Sequence, residues 1–167
     1  VEVSMVTESK WKLPEPNANN AKVFVPPTSI KDIGNATVVR ELPFDHHRMT
    51  SGVVVKQANG EIQVLLKGSY ERIGMLCTTE SVPNDFKQVT SNLAADSYYV
   101  LGVANKKLQS NLDWNKMTRD QLEDGLTFVG LLMFRNEMKE DSPEAIQELR
   151  DGNIRCIMCT GDNAHTG

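Results

Sequence analysis

Leu42–Gly68 reads LPFDHHRMTSGVVVKQANGEIQVLLKG. Within it, Val53–Lys56 and Ile62–Lys67 are two β-branched and aliphatic runs separated by Gln57-Ala58-Asn59-Gly60. Asn-Gly between two such runs is the strongest short-range hairpin signal, because both residues tolerate the positive φ a tight turn demands. Upstream, Ala36–Leu42 (ATVVREL) reads as a strand entering this hairpin, so the region is organised as an antiparallel sheet.

The ends of the hairpin carry chemistry. Phe44 and Arg48 stand just before its first strand, and Lys67 and Gly68 at the exit of its second. An aromatic face, two cations and a bare backbone at one end suit a purine with a phosphate tail: the ring stacks on Phe, a cation borders it, and glycine permits close approach. Read alone, a Phe before a strand is ordinarily core and a Lys-Gly pair ordinarily a turn. Asp45 is either an acceptor for an adenine amino group or a solvated turn carboxylate.

The 167-residue chain is long enough for one core, or one core with an appendage. Hydrophobic residues make up 40% and charged residues 24%, the composition of a soluble globular domain. The longest apolar run, Phe128–Phe134, is far too short to cross a bilayer. Val1–Lys10 shows no secretory pattern. A net charge of -4 without Lys/Arg clusters argues against nucleic acid as a partner. Cys77, Cys156 and Cys159 form no disulfide framework. Cys156-Ile157-Met158-Cys159 matches C-x-x-C, but the apolar run Ile154–Cys159 predicts a strand and a buried structural role for both thiols. His46, His47 and His165 have no metal-ligand spacing, so no metal site is expected.

Along the chain, Val1, Val3 and Met5 alternate as in a short edge strand, and Lys22–Val25 predicts another, stopped by Pro26-Pro27. Ser29 caps a short turn. Tyr70–Cys77 reads as a helix with Ile73, Leu76 and Cys77 on one face. A second helix opens at Ser81–Asp85 and runs to about Ser97, with Phe86, Val89, Leu93 and Ala94 at helical spacing. Tyr98–Ala104 predicts a strand, Leu108–Asn115 a loop, and Leu126–Phe134 another strand. Thr118 with Gln121 forms a capping box for a helix to Asp124. Ser142-Pro143 starts a helix, with Ser142 as cap and Ala145, Ile146 and Leu149 as its apolar face, and Gly152 ends it. Helix, apolar strand and then Thr160-Gly161-Asp162-Asn163 is how a parallel α/β sheet is built, with ligand-binding turns at strand C-termini. The expected fold is therefore α+β: an antiparallel sheet flanked by helices, followed by a helix–strand appendage from a doubly wound domain. The boundary falls within 134–141, giving units 1–135 and 136–167.

Phe44, Arg48 and Met49, then the hairpin, then Lys67, Gly68 and Glu71 form F-x-x-x-R-M…K-G-x-x-E. This pattern resembles the nucleotide-binding domain of P-type ATPases, whose usual K-G-A-P-E appears here as Lys67-Gly68-Ser69-Tyr70-Glu71. Asn136-Glu137-Met138-Lys139, Ser142 and the run IQELRDGNIRCIMCTGDN resemble the family's return hinge and its T-G-D-N phosphorylation-domain segment. Cys77–Phe86 (CTTESVPNDF) is similar to the B branch of the fifth subfamily, endomembrane pumps for polyamines or heavy cations. The resemblance implies that Phe44, Asp45, Arg48, Lys67, Gly68 and Tyr99 contact ATP. It implies that Thr160, Gly161, Asp162 and Lys139 lie on the phosphate and magnesium side in the full-length protein. Tyr99 replaces the usual Arg, which implies weaker electrostatic contact with phosphate, partly offset by aromatic contact.

D-K-T-G-T, which carries the phosphorylated aspartate of this family, and G-D-G-x-N-D do not occur in the sequence. The resemblance then implies an excerpt on the cytosolic face of an endomembrane. It binds ATP, works with Mg in the full-length protein, has the rest of its transporter as partner, and forms no phosphoenzyme itself. A second copy of the chain is a candidate cover for Ile154–Cys159. Two other readings remain at this point: a non-enzymatic protein-interaction module built on the antiparallel sheet, and a small phosphatase-like enzyme using Asp162. The latter lacks a neighbouring strand with a nucleophile.

Overall fold

The computed structural model describes residues 5, 8–12, 22–29, 34–109, 112–135 and 138–159. Six strands form one antiparallel sheet in sequential order: β1 (Val23–Phe24), β2 (Ala36–Asp45), β3 (Thr50–Gln57), β4 (Ile62–Ser69), β5 (Tyr99–Leu108) and β6 (Thr127–Phe134). Among the described residues, the helices that accompany it include α1 (Tyr70–Leu76), α2 (Phe86–Ala95), α3 (Arg119–Glu123) and α4 (Ser142–Asp151). The α+β class expected from the sequence is the class observed.

The β3–β4 hairpin pairs Thr50 with Gly68, Val54 with Val64 and Lys56 with Ile62. Its turn is a three-residue loop. Gly60 N–H donates to Gln57 O at 2.9 Å, Gln57 N–H donates to Glu61 O at 2.9 Å, and Gly60 takes φ +87°. Glycine alone carries the left-handed position there, while Asn59 keeps negative φ and accepts from Glu61 N–H at 2.9 Å.

Strand parity divides the hairpin's faces. Thr50, Val54, Val64, Leu66 and Gly68 are buried on one face, where Ile73 of α1, Ala104 and Leu108 of β5, Leu122 of α3 and Leu126 complete the core. Ser51, Val53, Leu65 and Lys67 fall on the opposite face, and Leu65 is 39% exposed. Ser69 caps α1, accepting from Arg72 N–H at 3.3 Å, and α3 has the capping box read from Thr118 and Gln121.

Two compact units emerge: residues 1–82 with 102–131, and residues 83–101 with 132–167. In the first lie the hairpin and the core just described. In the second, the buried residues of α2 are Thr90 and Ala94, while Val89, expected on the apolar face, is 38% exposed. Thr90 reaches burial because its hydroxyl donates to Phe86 O at 2.9 Å within the helix.

Several local expectations are corrected. Met5 is helical, not part of an edge strand, and residues 1–4 lie outside the described residues. At α4, Ser142 is already helical; Asp141 occupies the cap position without a side-chain cap bond. Ile146 and Leu149 are 38% and 43% exposed, so the helix buries no apolar face. Ile154–Cys159 is not a strand: it is irregular and exposed throughout. An apolar run becomes a strand only where a neighbour supplies hydrogen bonds, and among the described residues none pairs with it. Cys156 and Cys159 are accordingly exposed, not buried.

Candidate functional site

The described site is the end of the sheet where β2 turns into β3. Leu42 pairs with Gly52 and Asp45 with Thr50, so Pro43 and Phe44 together face the single residue Ser51. Two residues against one is a β-bulge, a device that re-aims side chains beside functional sites. Proline is tolerated there because it need not donate to the ladder. Phe44 is 54% exposed, with His46 edge-on at 5.0 Å between ring centroids. An exposed aromatic ring of this size is a platform for a flat apolar ligand.

Across β3, Ser51 pairs with Lys67. The row bulge–Ser51–Lys67 therefore sets the bulge and Lys67 two strand spacings apart, about 10 Å. Lys67 is half-buried, on the face away from Thr50 and Gly68. A ligand of nucleoside size bridges such a gap.

Gly68 is buried for a structural reason. A Cβ there would lie 2.4 Å from Met49 O and 3.0 Å from Thr50 Cγ2. The close approach that demands glycine is to the protein's own backbone at the start of β3, where Ser69 N–H donates to Met49 O at 3.1 Å. Close approach to a ligand is not needed to explain it.

The turn itself is held by two polar devices. Asp45 Oδ1 accepts from His47 N–H at 2.8 Å and Arg48 N–H at 3.1 Å. These donors, Arg48 first, hold its carboxyl below the usual carboxylate range. Asp45 thus bonds the backbone of its own turn through Oδ1. Arg48 Nη1 lies 2.5 Å from Asp120 Oδ1 and 3.3 Å from Glu123 Oε2. The Asp120 hydrogen bond is the main reason its guanidinium is held charged more firmly than usual.

Beside Arg48 lies a groove of about 400 Å³ lined by Arg48, Arg72, Leu76, Asp120, Glu123 and Asp124. Arg72 Nε is buried without a hydrogen-bond partner among the described residues. Three carboxylates against two guanidinium groups make this groove a poor seat for a triphosphate.

The remaining candidates belong to the second compact unit or lie outside the described residues. Tyr99 belongs to the second compact unit, is 37% exposed, and lies against Phe134 with ring centroids 6.5 Å apart. Lys139, in the same unit, is exposed, and its carbonyl accepts from Ser142 N–H at 3.1 Å. Thr160, Gly161 and Asp162 lie outside the described residues. No cluster of three His, Cys, Asp or Glu ligands occurs among the described residues. No helix among them is long and apolar enough to cross a membrane.

The group that sequence reading missed is Arg119–Glu123. Glu123 is 1% exposed; its Oε1 accepts from Arg119 Nε at 2.6 Å and from the Thr50 hydroxyl at 3.1 Å. Arg119 Nη1 donates to Pro43 O at 2.8 Å and Nη2 to Thr50 O at 3.0 Å. The available signal was an i,i+4 Arg–Glu pair directly after a capping box, which on its own reads as a solvated helix face.

The fold is an antiparallel sheet flanked by helices, and its bulged strand end presents an aromatic ring with a lysine across the neighbouring strand. The family described as P-type ATPase, cytoplasmic domain N, matches residues 28–141, and the chain belongs to that family. It is 33% identical over 98% of its length to Polyamine-transporting ATPase 13A3 of Mus musculus, and the match covers 14% of that protein. It is 33% identical over 92% of its length to Probable cation-transporting ATPase 13A4 of Gallus gallus, covering 12% of that protein. Against Vacuolar cation-transporting ATPase YPK9 of Saccharomyces cerevisiae it is 35% identical over 77% of its length, covering 9% of that protein. The chain thus spans a small fraction of the curated relatives it matches.

Proposed function

We propose that this domain binds ATP on the Phe44 platform and presents it to an aspartate elsewhere in a longer P-type ATPase that moves a cation or polyamine across an endomembrane. The observation that carries the reading is the bulge, which leaves Phe44 54% exposed with Lys67 on the adjoining rows. Adenine stacks on Phe44, and the Lys67 ammonium borders the ring or the ribose–phosphate side. The residues fit the nucleotide: an exposed ring supplies apolar contact, a cation supplies charge, and neither needs rearrangement of the core. Arg48 contributes through the turn it helps to hold, since its guanidinium is engaged by Asp120 and Glu123.

In the longer protein, residues 1–135 form the nucleotide-binding domain and residues 136–167 a hinge and part of the phosphorylation domain. Lys139 is the hinge cation, and Thr160, Gly161 and Asp162 stand beside the phosphoryl group and its magnesium, where positioning and charge neutralisation dominate catalysis. Because most of the binding energy comes from adenine burial, adenosine, AMP and ATP should bind within about tenfold of one another. Calorimetry with the three ligands tests this; ATP binding about a hundredfold tighter than AMP would show that a phosphate site dominates instead.

A further inference from the structure

We infer that Arg119 and Glu123 are positioning residues of the nucleotide site: they fix the Pro43–Thr50 turn and thereby the place of Phe44. The inference rests on the ATP-binding reading above.

The Phe44 side chain lies at the surface. It is more than half exposed, and its ring meets His46, itself exposed in the same turn. Its position is therefore set by backbone. The backbone on either side is gripped by one side chain: Arg119 donates to Pro43 O, the residue before Phe44, and to Thr50 O, where β3 begins. The same guanidinium donates its Nε to Glu123, so its three directions are all used inside the protein. Glu123 completes the frame by accepting from the Thr50 hydroxyl and from Arg48. Two ends of one turn, 69 and 76 residues away in sequence, are thus held by α3. A planar fork can make these contacts together, whereas a lysine ammonium is a point donor that cannot span both carbonyls and the carboxylate.

The test is a double-mutant cycle on the purified chain with ATP as ligand, read by calorimetry, with circular dichroism confirming the fold of each variant. Arg119→Lys keeps the charge beside Glu123 but breaks the fork. It should weaken ATP binding about three- to tenfold in folded protein. In the Phe44→Ala background the same change should produce almost no further loss, because the ring it positions is gone. A purely structural role would lower the melting temperature while leaving the affinity of the folded protein unmoved, or would add its loss unchanged to that of Phe44→Ala; either result overturns the inference. If Phe44→Ala alone leaves affinity unchanged, the ATP reading falls and this inference with it. Loss with Phe44→Ala but none with Arg119→Lys sinks this inference alone. Should Arg119→Lys fail to fold, Thr50→Val removes the hydroxyl given to Glu123 at constant volume and is judged by the same two outcomes.

Discussion

Phe44, Gly68 and Cys77 each isolate one physical effect. Base–aromatic stacking is worth about 1–3 kcal/mol per base, so Phe44→Ala should weaken ATP binding by roughly tenfold or more. The fold should survive, because the ring is mostly exposed and surface substitutions move stability little. Equilibrium binding and a urea melt on the same variant separate the two. Gly68→Ala should do the opposite and destabilise the chain by about 1–3 kcal/mol in a urea melt, since its methyl group meets the Met49 carbonyl. An unchanged midpoint would show that β3 and β4 are looser at that pair than they stand. Burial pushes the Cys77 thiol up to about 11, whereas Cys156 and Cys159 are exposed. Only the thiolate reacts, so iodoacetamide near neutral pH should label Cys156 and Cys159 first and leave Cys77 for last, as read by peptide mass spectrometry.

At the scale of elements, the β2–β3 turn should respond to acid in a defined window. Asp45 has a depressed carboxyl because backbone N–H groups of Arg48 and His47 bond its ionised form. A depressed carboxylate contributes stability that is present above the ordinary Asp value, near 3.9, and is lost as pH falls through the lower folded value. Amide shifts of His47 and Arg48 should therefore titrate below that ordinary value; a midpoint above it would mean the turn is not held by Asp45. The hairpin was legible in the sequence because Asn59-Gly60 and its flanking runs are local signals, and so was α3, whose capping box needs only Thr118 and Gln121. The bulge was not, because Pro43 argues against a strand until its register with Gly52 and Thr50 is known. The ion pairs of Arg48 with Asp120 and Glu123 were not legible, because those partners lie more than 70 residues away in sequence and leave no local pattern. The irregular course of Ile154–Cys159 was not legible for the converse reason: its apolar pattern is local, but strand formation depends on neighbours that pattern does not reveal.

For the whole molecule, the uneven distribution of buried hydrogen bonds predicts uneven opening. Val54, Val64 and Leu66 are almost wholly buried within a paired hairpin, whereas Ile157 and Met158 are 74% and 70% exposed and unpaired among the described residues. Amide exchange should therefore be far slower across Val53–Lys67 than across Ile154–Cys159. Slow exchange in the latter segment would mean that something covers it in solution. The family membership and the α+β class rest on patterns spread over most of the chain. The proposed ATP site lies at one end of one sheet. The direct measurement is an ATP titration followed by backbone amide shifts. The account predicts saturable changes through the millimolar range, largest at Phe44, Ser51, Lys67 and Gly68, and their loss in folded Phe44→Ala. Saturable changes elsewhere with these residues silent, or none anywhere, would contradict it.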